Sequence, residues 1–367
     1  EALNDRLYRN AICLARDSQS LVPIRDIPAK IVGLSIGLNG PMKFEQRLED
    51  YAKVDHYFIS DTSQLDTSIR NCILEADLLL IHIHKLNYKS RNNFGLKPEL
   101  LQQLNPIMQQ KKTIVVLFGC PYVSMYLPLS TSVLLAFEDH DAIGDIAAQM
   151  LFGTDPISGG SPMDIPSVKH GQGIRRPSLM RMGFSVPEAQ GMNRDSLFRI
   201  DSVANEIITR KAAPGCQVVV ARNNKLVYRK SFGFLTYDST DLVTDRTLYD
   251  LASLTKVCCT APILYHLEEQ GKIQFTNRFS DYLPEFKGTN KEGLSLKDFM
   301  LHQGKLLAWI PFYKATLPSM EASNGHSLLQ SFYDSIPSKK FSIPVCNRFY
   351  LRTDYRDSIW AQILASR

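Results

Sequence analysis

Between residues 31 and 152 the chain repeats one unit, a short run of apolar residues followed by a longer stretch with apolar residues at helical spacing. Ile31-Val32-Gly33-Leu34-Ser35-Ile36 is the first run. Ala76-Asp77-Leu78-Leu79-Leu80-Ile81-His82-Ile83 is the second, and Thr113-Ile114-Val115-Val116-Leu117-Phe118-Gly119 the third. A strand that is apolar on both faces has to be covered on both faces, and helices between such strands provide that cover in a parallel sheet. The rhythm predicts an α/β sandwich with a mostly parallel sheet, helices over residues 41–53, 98–110 and 142–152, and a fourth strand over residues 132–137.

After residue 152 the periodicity lapses. Gly, Pro and Ser gather in Asp155-Pro156-Ile157-Ser158-Gly159-Gly160-Ser161-Pro162 and again over residues 170–177, which is the composition of a linker. Helical spacing resumes over residues 194–211. Two strand-like runs follow, residues 215–222 and 225–232, separated by the turn dipeptide Asn223-Asn224. A length of 367 residues exceeds one ordinary core and, at roughly 100–200 residues per domain, predicts two. The expected division is a first domain over residues 1–166, a linker over 167–186 and a second domain over 187–367.

A formal net charge of +5 is mild, and the basic residues form no stripe interleaved with aromatics, which argues against nucleic acid as a partner. No apolar run is long enough to cross a bilayer. The seven cysteines include no C-x-x-C pair and no zinc spacing, so buried thiols are expected rather than a metal or disulfide framework. The chain opens on Glu1 and reads as a piece of something longer.

The first half resembles the C-terminal α/β-sandwich domain of family 3 glycoside hydrolases. The resemblance rests on Leu7-Tyr8-Arg9-Asn10-Ala11-Ile12, Asp17-Ser18-Gln19-Ser20-Leu21-Val22-Pro23-Ile24, Phe118-Gly119-Cys120-Pro121-Tyr122, and Leu151-Phe152-Gly153 with Pro156-Ile157-Ser158-Gly159, in that order. In that family the nucleophilic carboxylate lies on a TIM barrel, which this chain does not contain, so no glycosidic chemistry is assigned to this half. Gly160-Ser161-Pro162 also departs from the family's Gly-Arg-Leu-Pro ending. His82 and His84, two apart at a strand end, would face one side and present metal-ligand nitrogens, but no cysteine or carboxylate close in sequence completes a set. They are read as ordinary polar residues at a sheet edge, and no metal or cofactor is expected. Glu138, Asp139 and Asp141 are read as a solvated loop rather than as a general acid and base.

The strongest chemical signal is Leu248-Tyr249-Asp250-Leu251-Ala252-Ser253-Leu254-Thr255-Lys256-Val257, an S-x-x-K at the start of an apolar helical pattern that continues to about residue 271. A spacing of three places both side chains on one helical face. A serine hydroxyl is a weak nucleophile until a neighbouring base receives its proton, and a lysine near the positive end of a helix has its ammonium form disfavoured. Ser253 is therefore the candidate nucleophile and Lys256 its base or electrostatic relay.

The surrounding strings, Phe232-Gly233, Leu267-Glu268-Glu269-Gln270-Gly271-Lys272-Ile273 and Tyr282-Leu283-Pro284-Glu285-Phe286, resemble the class C β-lactamase and penicillin-binding-protein family, as does Leu301-His302-Gln303-Gly304. The resemblance covers residues 187–367 and implies an incomplete α+β β-lactamase or transpeptidase-like domain. It implies a covalent acyl-enzyme at Ser253, whose own N–H would be one of two oxyanion donors. The family's later motifs, a Tyr-x-Asn or Tyr-x-Asp and a Lys/His-Thr-Gly strand, do not appear before the chain ends. Tyr355-Arg356-Asp357 fits the first literally but lies in a helical pattern. His302 is read as a structural residue at a helix end, and Cys258 and Cys259 as packed within the helix.

The expected function is a serine hydrolase or acyl-transfer domain of β-lactamase, D-alanyl peptidase or esterase type joined to a glycosidase accessory domain. Its expected substrates are small molecules or peptidoglycan-type peptides, and its expected location is the periplasm or cell envelope. The alternative is a non-catalytic fragment or scaffold whose parent is a family 3 β-N-acetylhexosaminidase or β-glucosidase.

Overall fold

The computed structural model describes residues 1–60, 65–317 and 331–366. It consists of two compact units, Glu1–Thr247 and Leu248–Arg367.

The first unit is built on a six-stranded sheet. Its strands are β1 (Cys13–Arg16), β2 (Ile31–Ile36), β3 (Val54–Ile59), β4 (Leu78–Ile83), β5 (Thr113–Leu117) and β6 (Ser132–Leu135). They lie in the order β1-β6-β5-β4-β2-β3, and every pairing is parallel except β1 with β6. Helices α1 (Ala2–Ala11), α2 (Lys43–Leu48), α3 (Thr67–Glu75), α4 (Pro98–Gln110) and α5 (Asp141–Leu151) cover the faces.

Strand alternation divides the core in two. Leu79, Ile81, Val115 and Leu117 meet α3 and α4 on one face, whereas Leu78, Leu80, Ile114 and Val116 meet α2 and α5 on the other. Each large apolar side chain so buried contributes about 1.5–3 kcal/mol. Local signals set the helix starts. Pro98 opens α4, where its missing N–H costs nothing, and Asp66 caps α3 by accepting from the Ser68 N–H at 2.7 Å.

The expected strands and helices of this sheet are all present. Four elements go beyond the sequence reading: α1, β1, β3 and α3. β3 is an edge strand in which Asp55, His56 and Tyr57 are only half-buried, so it lacks the continuous apolar run that marks β2, β4 and β5.

The Gly-Pro-Ser-rich segment after α5 has little regular structure but is held by specific bonds. Arg176 donates to the Asp17 carboxylate at 2.9 Å and to the Val22 carbonyl at 3.1 Å, and Ile157 and Ile165 are buried. A side chain at Gly159 would stand 2.3 Å from the Ile12 carbonyl oxygen, so the segment lies directly on the main chain at the end of α1.

Strand β7 (Gly183–Phe184) then joins β9 (Lys225–Gly233) of a hairpin with β8 (Gly215–Arg222), backed by α6 (Arg194–Thr209). Asn223 and Asn224 both adopt left-handed φ, 52° and 60°, the conformation that a two-residue turn matching strand twist requires. A buried ion cluster joins hairpin to sheet unit: Asp155 lies 2.5 Å from both Arg9 and Lys225.

The second unit begins with a turn and a π-helical segment, Lys256–Thr260, continued by α7 (Ala261–Glu269). Short helices α8 (Phe279–Tyr282) and α9 (Leu296–Met300) follow. A small antiparallel sheet of β10 (Tyr333–Asp334), β11 (Ile343–Cys346) and β12 (Phe349–Leu351) precedes α10 (Tyr355–Ala365). Its core centres on Phe286, whose ring meets Phe279 at 5.1 Å and Trp360 at 5.6 Å. No helix among the described residues is long and apolar enough to cross a membrane.

Candidate active site

Ser253 is placed by a local device. The Asp250 carboxylate accepts from the Ala252 N–H at 2.9 Å, an Asx turn. Ala252 takes a left-handed φ of 45°, a conformation that costs a non-glycine residue roughly 1–2 kcal/mol. The chain thereby turns into the helix with Ser253 in its opening turn.

The next bonds are all i to i+3: Leu254 to Leu251, Thr255 to Ala252 and Lys256 to Ser253, at 2.9, 3.1 and 3.1 Å. This winding eclipses residues three apart, which brings Lys256 Nζ to 3.1 Å from Ser253 Oγ. The helix widens immediately afterwards into the π segment, a conformation that is rare and often found at functional sites. The contact is within the distance over which a base takes a proton from a hydroxyl. The Ser253 N–H makes no hydrogen bond among the described residues. Both side chains are exposed.

The other sequence candidates stand elsewhere in the second unit. Tyr355 is buried at the start of α10, with its hydroxyl donating to the Phe312 carbonyl at 2.5 Å, as a core helix residue would. His302 is exposed just after α9 with a left-handed φ of 58°. Cys258 and Cys259 are exposed, against the expectation that they pack within the helix. The reason is that no residue of the π segment or of α7 is buried, so this helix has no covering layer among the described residues.

The first unit corrects one reading. His82 and His84 do have a carboxylate partner: Glu45, from α2, lies 3.0 Å from His82 and 3.8 Å from His84. Glu138, Asp139 and Asp141 are exposed, as a solvated loop would be, and each also has a partner distant in sequence. Tyr8 donates to Glu138 at 2.8 Å, His84 Nδ1 lies 2.8 Å from Asp139, and the Lys43 N–H donates to Asp141 at 3.2 Å. These partners are 37 to 130 residues away in sequence, so only the folded sheet brings them together.

Residues 188–337 match the beta-lactamase family. The chain carries a beta-lactamase-like domain.

Among curated proteins, this domain is similar to "Beta-lactamase" of Providencia stuartii, 28% identical over 140 residues, which are 35% of this chain and 36% of that protein. It is also similar to "Putative D-alanyl-D-alanine carboxypeptidase" of Escherichia coli strain K12, 31% identical over 133 residues, 33% of this chain and 30% of that protein. The chain thus spans about a third of the length of the curated relatives it matches. Structural neighbours include a glycoside hydrolase family 3 beta-N-acetylglucosaminidase from Paenibacillus sp. str. FPU-7, at 14% identity over 45% of this chain and 32% of that one, with a TM-score of 0.35. A similarity of that size carries no argument, and the parallel sheet stands on its own register. The beta-lactamase-like domain begins within the first compact unit, ahead of α6 and the hairpin, and continues into the second.

Proposed function

We propose that the chain is part of a serine hydrolase in which Ser253 is the acyl-accepting nucleophile and Lys256 its proton acceptor. The observation that carries the reading is the 3.1 Å contact between Lys256 Nζ and Ser253 Oγ at the opening turn of a helix, within a stretch similar to beta-lactamases.

In this reading Lys256 in its neutral form takes the hydroxyl proton as Oγ bonds the carbonyl carbon of a strained amide, a D-alanyl peptide or an ester. Negative charge develops on the carbonyl oxygen, and the Ser253 N–H is free to receive it. Collapse expels the amine or alkoxide, which takes the proton back from Lys256, and water then cleaves the acyl-serine. Similarity to a beta-lactamase and a D-alanyl-D-alanine carboxypeptidase, together with the family 3 glycosidase motifs of the first half, supports a cell-wall substrate and an exported, periplasmic or envelope-associated protein. The functional boundary is placed near residue 187, with residues 1–166 as the glycosidase-type accessory domain.

A second reading, a binding module without catalysis, is favoured by the exposure of Leu248, Leu251, Leu254 and Val257 around the pair. Turnover separates the two. Hydrolysis of a chromogenic cephalosporin, a nitrophenyl ester and a D-alanyl-D-alanine peptide is measured for the native chain, Ser253→Ala, Lys256→Ala and Lys256→Arg. The enzyme reading predicts that at least one substrate turns over, that Ser253→Ala abolishes it, and that both lysine variants lose about 10²–10⁴-fold, because arginine keeps the charge but cannot accept a proton. Undiminished turnover in Ser253→Ala, or none by the native chain, contradicts it.

A further inference from the structure

Glu45, His82 and His84 meet in the layer between the sheet and α2, and all three are buried. Their facing atoms, Glu45 Oε1, His82 Nδ1 and His84 Nε2, lie within 4.8 Å of one another. The two contacts to Glu45 Oε1 are 3.0 and 3.8 Å, close to the roughly 3.3 Å between ligand atoms of a tetrahedral ion with bonds near 2.0–2.1 Å. All three atoms lack a correctly aligned hydrogen bond, even where two of them are 3.0 Å apart. A buried polar atom without a partner is costly, and three such atoms facing one point call for a shared partner.

The surroundings hold each donor in place. Glu45 Oε2 accepts from the Met42 N–H at 2.8 Å, which leaves Oε1 for the cluster. The His84 ring stacks on Phe118 at 4.4 Å, and its second nitrogen, Nδ1, lies 2.8 Å from the Asp139 carboxylate. Asp139 is fixed in turn by the Lys85 N–H at 2.7 Å. A carboxylate on the far nitrogen is what orients a metal-bound histidine. Phe44 flanks the His82 ring at 4.9 Å. Ser35, also buried and with its hydroxyl unpartnered, is the register neighbour of His82 across β2 and β4 and so shares its face.

Burial drives His82 toward its neutral form despite the pull of Glu45. Burial would raise the Glu45 carboxyl, but its contacts with His82 and the Met42 N–H outweigh that and hold it ionised. His84 also lines the crevice at the carboxyl ends of β2 and β4, beside Ile36 and Ile83. Because β3 lies to one side of β2 and β4 to the other, this crevice is the point where the sheet reverses direction, the place where open α/β sheets bind ligands.

We propose that Glu45, His82 and His84 ligate a divalent transition-metal ion of the zinc class, with Asp139 as the positioning residue for His84. Two imidazole nitrogens and one carboxylate are a donor set for such ions rather than for calcium or magnesium.

The test is metal analysis of the whole chain after stripping with a chelator and reloading with zinc or cobalt(II). We expect one ion per chain, a cobalt absorption spectrum of a low-symmetry nitrogen and oxygen site, and a higher melting temperature on reloading. Glu45→Gln and His84→Gln abolish stoichiometric uptake, and Asp139→Asn weakens it about 10–100-fold with far-UV circular dichroism unchanged. Should the variants fail to fold, the native chain decides alone. Failure of the folded native chain to take up a stoichiometric ion overturns the site, and so do thiolate-to-cobalt bands, which would assign the ion to cysteine.

Discussion

Asp155 shows how a single carboxylate ties two parts of the first unit. It stands 2.5 Å from Arg9 on α1 and 2.5 Å from Lys225 on β9, with each side chain about nine-tenths enclosed. Burial alone would raise the Asp155 carboxyl, but two cations and the Thr154 hydroxyl hold it below its ordinary value. Lys225 is pushed down by burial, against the pull of Asp155, because it shares that anion with Arg9. A carboxyl lowered on folding contributes stability that is full above its unfolded value of about 4 and is lost as pH falls below that. Chemical denaturation from pH 7 to pH 3 is therefore expected to show a steeper loss for the native chain than for Asp155→Asn. At pH 7 the substitution is expected to cost about 3 kcal/mol, because it leaves the enclosed Lys225 without its anion, whereas Arg9 keeps Asp5 at 2.9 Å. At this scale the sequence is legible where chemistry is local. Ser253 and Lys256 are three residues apart, and their contact follows from helix winding. Glu45 and His82 are joined only by the packing of α2 on β4, which no local pattern encodes.

Among the elements, those with continuous apolar runs or full amphipathic turns follow from the sequence: β2, β4, β5, β6, α4, α5 and α6. The hairpin of β8 and β9 is equally legible, because Asn-Asn between two strand-like runs tolerates left-handed φ. Asn223, at φ 52°, tests this directly. Asn223→Val is expected to lower stability by about 1–2 kcal/mol, the cost of a β-branched residue in that region, whereas Asn223→Gly is expected to stay within about 0.5 kcal/mol. Equal midpoints for the two variants in urea titration would remove the turn argument. The elements that escape the sequence reading are those whose burial is decided by neighbours. β3 is half-polar at a sheet edge, and β1 is four residues long and antiparallel to β6. The segment after α5 has linker composition yet is fixed by Arg176 and by Gly159 on the main chain of Ile12.

For the whole molecule, composition and periodicity foretell an α/β sheet unit followed by a mixed unit. They do not foretell that α6 and the hairpin lie with the sheet in one compact unit, held there by Asp155 and by Phe184, whose ring lies 3.3 Å from the Arg47 guanidinium carbon. The functional account rests on Ser253 as a nucleophile activated by Lys256, and the most direct measurement is the intact mass of the whole chain after exposure to a penicillin, with peptide mapping of any adduct. The account predicts an increase by the mass of one penicillin per chain, mapped to Ser253 and lost in Ser253→Ala and Lys256→Arg. An adduct on another residue, an adduct that persists in Ser253→Ala, or an unmodified native chain would contradict it.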